Sequence, residues 1–171
     1  MDQELTRYLN DHLAGASGAL LLIQELADSH DDPEACEFFL QFKEKVEADR
    51  SLLENLLLRI GQNPSAFLKV AGAIAARIGG IKLMWEQIEP GKLGLFEALE
   101  MLALGVQGKC LLWVALREIS AGIPEWHDID FVKLELQAIQ QRDDIEFWRV
   151  KAAVDILADA ERGIGTTHEV E

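Results

Sequence analysis

The chain has 171 residues, 49% of them apolar, and its 30 acidic side chains against 16 Lys and Arg leave a net charge of −14. This is one domain's worth of chain, with enough apolar content to bury a core. A surface this negative repels phosphate backbones and anionic bilayers, so neither nucleic acid nor a membrane is expected as a partner.

The two cysteines, Cys36 and Cys110, form no CxxC and no His/Cys cluster. That argues against a disulfide scaffold and a structural zinc site. Both sit among apolar residues, where a free cysteine acts as a small hydrophobe. The opening Met1-Asp2-Gln3-Glu4 lacks the basic region and apolar core of an export signal, so the expected location is the cytoplasm.

Apolar residues recur at intervals of three and four, the helical period, and alternating strand-like runs are absent. The first helix is predicted over residues 3–29, with Asp2 as its cap and Leu5, Leu9, Ala16, Ala19, Ile23 and Leu26 on one stripe. A loop ends at Asp32-Pro33. Aspartate suits the cap, and proline suits the first helical position because its missing NH would go unbonded there. The second helix is predicted over residues 33–60, with Phe39, Val46, Leu53, Leu57 and Ile60 facing inward. Gly61 closes it in the left-handed conformation.

Residues 62–93 read as a long crossover. It contains a short helix from Asn63-Pro64 to Ile78, a break at Gly79-Gly80 and the turn Glu89-Pro90-Gly91. The third long helix, 94–120, is apolar almost all round. It is therefore expected to be buried on several sides or to lie in an oligomer interface, with Gly105 and Gly108 admitting a neighbouring backbone. Its charges Glu100, Lys109, Arg117 and Glu118 argue against a membrane span. Gly122-Ile123-Pro124 ends it. The fourth helix starts near Asp128 or Asp130 and runs to about residue 160, followed by a polar tail, 163–171, expected to be frayed. The expected fold is an all-α four-helix bundle spanning 1–162. Two helical hairpins joined by one long crossover suggest the ferritin-like topology.

Several polar residues interrupt the apolar stripes. His12 falls between Leu9 and Ala16, and Arg50 between Val46 and Leu53 with Glu47 one turn before it. Glu97 and Glu100 interrupt the third helix, and Glu146 and Arg149 the fourth. Helix rise and antiparallel pairing bring His12 level with Arg50, and Glu100 level with Arg149. One shared layer of His12, Glu47, Arg50, Glu100, Glu146 and Arg149 is the candidate site.

The segments Glu47-Ala48-Asp49-Arg50 and Glu146-Phe147-Trp148-Arg149 resemble the two ExxH motifs of ferritin-like di-iron bundles. Such bundles add one Glu from each of the other two helices. Glu100 is similar to one lone Glu, and His12 stands near the place of the other. The whole chain also resembles uncharacterised bacterial ferritin-like proteins, at Tyr8-Leu-Asn-Asp-His-Leu-Ala14, Leu104-Gly-Val-Gln-Gly-Lys109 and Leu112-Trp-Val-Ala-Leu116. That resemblance implies a fold but no activity. Both positions where the motif carries histidine are arginine here. Guanidinium has no lone pair for a metal and brings a permanent positive charge. The layer therefore reads as salt bridges in place of a metal site, with no cofactor and no catalytic residue.

The leading expectation is a non-enzymatic, metal-free bundle acting through protein contacts, as a homodimer or with another protein. One alternative is a di-iron or di-manganese carboxylate protein using Glu47, Glu100 and Glu146. Another is a binder of an apolar molecule among Trp85, Trp113, Trp126 and Trp148. No nucleotide-binding glycine loop and no GxSxG motif occurs.

Overall fold

The computed structural model describes residues 3–62 and 92–162. Among them every regular element is helical: α1 (Gln3–Ser29), α2 (Pro33–Arg59), α3 (Lys92–Ser120), a 3-10 turn (Pro124–Trp126) and α4 (Phe131–Arg162). The predicted crossover lies outside the described residues apart from its ends, as do Trp85, Asp2 and the C-terminal tail.

The helix ends follow the local chemistry. The Asp32 carboxylate accepts from Glu34 N at 3.0 Å, and Pro33 opens α2. At the other end Ile60 caps α2, and Gly61 turns the chain at φ +74°, a conformation that costs glycine little. Helix α4 begins at Phe131, after the 3-10 turn, and Asp130, one of the two expected starts, caps it by accepting from Lys133 N at 2.9 Å. Helix α3 begins two residues before the predicted Gly94.

The inward residues predicted for α2, namely Phe39, Val46, Leu53, Leu57 and Ile60, are all buried. On α1 the buried line includes Leu13 and Leu20 as well as Leu9, Ile23 and Leu26. Partners along the helices set their directions. From Asp32 through Lys45 and Asp49 to Arg59, contacts descend from Lys151 through Asp144 and Gln141 to Asp128, so α2 and α4 are antiparallel. The contacts Glu100–Arg149, Gln107–Arg142 and Arg117–Glu135 make α3 and α4 antiparallel too. Helices α2 and α3 are therefore parallel. Gln62 and Lys92 lie at opposite ends of the bundle, roughly 40 Å apart for a 27-residue helix.

Helix α3 is buried along one side and exposed along another within the chain. Ala98, Leu99, Leu102, Val106, Trp113 and Leu116 are buried, but Met101, Leu104, Leu111 and Ile119 are exposed, Leu104 at 74%. A Cβ on Gly105 or Gly108 would meet no atom within 4 Å, so neither glycine serves a close approach among the described residues. By length and composition the stretch Gly94–Ser120 is apolar enough to cross a membrane, a test that core helices of bundles also pass.

Candidate functional site

The buried side chains form two apolar clusters. One holds Leu20, Ile23, Phe39, Phe42, Val46, Leu102, Val106, Ile145 and Trp148. The other holds Leu9, Leu13, Leu53, Leu56, Trp113, Leu116, Trp126, Phe131 and Ala138. Between them the helices repeat one spacing. Asp49 follows Val46 by three and precedes Leu53 by four. Lys109 stands the same way between Val106 and Trp113, and Gln141 between Ala138 and Ile145. On α1 the position with that spacing, between Leu13 and Leu20, is Ala16.

The three polar residues meet there. Lys109 Nζ donates to Asp49 Oδ2 at 2.6 Å and also to Gln141 Oε1. Gln141 Nε2 donates to the same Asp49 oxygen at 3.4 Å. The Lys109 and Asp49 side chains are each 14% exposed, and Gln141 is buried. Each member thus bonds the other two, and the ring joins α2, α3 and α4. A buried ion pair repays desolvation only with such additional hydrogen bonds, and one established use of buried polar groups is to fix register.

The residues singled out in the sequence lie around this ring rather than in it. Arg149 grips Glu146 with two bonds, Nε to Oε2 at 2.7 Å and Nη2 to Oε1 at 2.6 Å, and reaches Glu100 Oε1 at 3.4 Å. That trio sits at the α3–α4 seam, with side-chain exposures of 26%, 48% and 46% for Arg149, Glu146 and Glu100. Hydrogen bonds from Arg149 hold the Glu146 carboxyl below the usual carboxylate range. Glu97 is exposed. On α2, Glu47 lies 3.8 Å from Lys43, and Arg50 pairs with Glu54 at 3.1 Å. His12 is half-buried with its ring edge-on to Tyr8 at 4.7 Å, and burial pushes its pKa down. Among the described residues, Glu100, Glu146 and Arg149 of the expected layer form a connected group.

These residues do not fit a di-iron centre. Two carboxylates of the trio are engaged by a guanidinium that offers only donors. Glu47, the third carboxylate of the motif pair, pairs with a lysine instead. Among the described residues no three His, Cys, Asp or Glu side chains gather closely enough to share an ion.

Among the described residues, Trp113, Trp126 and Trp148 lie in the core. Trp126 donates its indole NH to Leu56 O at 3.2 Å, which ties the α3–α4 connection to α2. Trp148 packs against Phe38 and Phe39, under the Lys151 ammonium. The two thiols are free. Cys36 donates to His30 O at 3.0 Å in the first hairpin turn, and burial pushes the Cys110 thiol up.

The interior ring was legible in principle, because a polar residue at plus three and minus four from core positions faces inward as they do. The ExxH-like spacing points to Arg50, but it is the neighbouring Asp49 that faces Lys109 and Gln141. Compared with known proteins, the chain matches no protein family, and no curated protein or solved structure matches it either.

Proposed function

We propose that this protein is a metal-free, non-enzymatic ferritin-like bundle that works in the cytoplasm through protein contacts. The observation that carries the reading is Arg149. It stands at the histidine position of an ExxH-like segment and occupies, with its own donors, the two carboxylates that a metal would need. The antiparallel α2–α4 and α3–α4 pairs, with α2 and α3 parallel, support an up-down-down-up bundle closed by one long crossover. The interior is held by a closed ring of polar contacts, and Trp113, Trp126 and Trp148 are packed within the apolar clusters. What the molecule offers a partner is surface, including the uncovered side of α3 at Met101, Leu104, Leu111 and Ile119.

Elemental analysis of protein purified without chelator tests this. The expected result is a sub-stoichiometric trace of iron and manganese, unchanged in Arg149→Ala. One or two ions per chain in the wild type, as a carboxylate-bridged pair requires, would overturn the reading.

A further inference from the structure

The turn between α1 and α2 is built around His30. The Asp32 backbone NH donates to His30 Nδ1 at 3.2 Å, and the His30 carbonyl accepts from the Cys36 thiol at 3.0 Å. The ring is half-buried. It lies 6.1 Å from the Phe39 ring of α2 and edge-on to Trp148 of α4 at 6.3 Å. A backbone NH can only donate, so Nδ1 presents its lone pair. The ring is therefore neutral and carries its proton on Nε2.

That bond holds Asp32 where the turn, α2 and α4 meet. Asp32 Oδ1 caps α2 by accepting from Glu34 N at 3.0 Å, and Oδ2 accepts from Lys151 Nζ of α4 at 3.1 Å. The Lys151 ammonium also stands 4.6 Å over the Trp148 ring. Hydrogen bonds from Lys151 and then from the Glu34 NH hold the Asp32 carboxyl below the usual carboxylate range, so it stays ionised in mild acid. Imidazole is the group of this turn that changes charge there. An imidazolium carries a proton on both nitrogens and accepts nothing. Its Nδ1–H would meet the Asp32 NH as donor against donor.

Among the described residues, the charged side chains on the elements around the ring are Asp28 on α1, Asp31 and Asp32 in the turn, Glu34 on α2, and Lys151 and Asp155 on α4. The carboxylates favour the imidazolium and Lys151 opposes it. Together they set the pH at which the ring becomes charged. None of them lets a charged ring accept the Asp32 NH.

We propose that the first hairpin turn is an acid-released latch, in which neutral His30 fixes Asp32 where it caps α2 and ties α4, and protonated His30 lets that end of the bundle open. The latch is closed above the imidazole range and released below it. Release loosens the seat of Phe39 and Trp148, both buried in the closed form. The latch shares no residue with the Glu100–Glu146–Arg149 trio, so it goes beyond the metal-free reading and fails separately from it.

Amide hydrogen exchange on the full chain tests this at about pH 7.5 and about pH 5, either side of the ordinary imidazole range, with each rate corrected for the intrinsic effect of pH. On acidification the wild-type Asp32 and Glu34 amides should lose about fivefold in protection relative to Leu56 and Leu57 at the far end of α2, the scale of one lost hydrogen bond. His30→Asn puts an amide oxygen at the place of Nδ1 and should keep the protection at both pH values. His30→Phe supplies no acceptor and should be as open at about pH 7.5 as the acidified wild type. Equal acid losses in the wild type and His30→Asn, no loss in the wild type, or full protection in His30→Phe would each overturn the proposal. A second readout needs no variant. Nitrogen NMR of the wild-type ring at neutral pH should place its proton on Nε2, and a neutral ring protonated on Nδ1 would overturn the latch as well.

Discussion

Two charged groups occupy this bundle, about two helical turns apart along α3 and α4, and do different physical work. The Asp49–Lys109–Gln141 ring lies inside, its two charged members 14% exposed, and ties three helices together. The Arg149–Glu146–Glu100 trio lies at a seam between two helices and is open to solvent. The two are alike in bond length, at 2.6 Å from Lys109 to Asp49 and 2.6 and 2.7 Å in the two-pronged grip of Arg149 on Glu146. Bond geometry therefore does not rank the two by importance. Solvent does, because water replaces a lost partner at the seam and cannot easily do so in the interior.

The largest effect should come from breaking the ring. Asp49→Ala leaves the Lys109 ammonium buried without its carboxylate and should cost about 3–5 kcal/mol of unfolding free energy in urea titration. Replacing both charges, Asp49→Leu with Lys109→Leu, should recover most of that loss, because no uncompensated charge remains. A double variant as unstable as the single one would show that the ring matters for its shape and not its charge.

At the seam, Arg149→Gln should cost under about 1 kcal/mol in the same titration, the usual scale for exposed ion pairs. A loss comparable to that of Asp49→Ala would erase the contrast between the two groups. Smallest is the effect of His12, which lies outside both groups. Its folded pKa is lowered by burial, so the unfolded chain takes up the proton first and stability falls as pH drops through and below the ordinary imidazole range. His12→Phe should flatten the decline in melting temperature between about pH 7 and pH 5. An unchanged slope would mean that His12 titrates alike in both states.

Much of the fold is written locally. Asp32, Pro33 and Gly61 mark the ends of α2 by their own backbone chemistry, and the inward residues of α2 follow from period alone. The site was less legible because a count along one helix is uncertain by one position, and one position is 100° of rotation. Asp49 and Arg50 both lie between Val46 and Leu53, yet the first faces Lys109 and Gln141 while the second turns to Glu54. Lys109 is likewise one charge in an apolar helix by sequence, and only the packing shows that it lies between the two apolar clusters. The exposure of Leu104 and Leu111 is invisible to composition, which cannot say which side of an apolar helix has neighbours.

The polar ring also partitions the interior. Trp148 belongs to the apolar mass on one side of it, and Trp113 and Trp126 to the mass on the other. Each half of the molecule thus carries its own built-in fluorophore, and the bundle supplies separate optical witnesses to the loosening of its two ends.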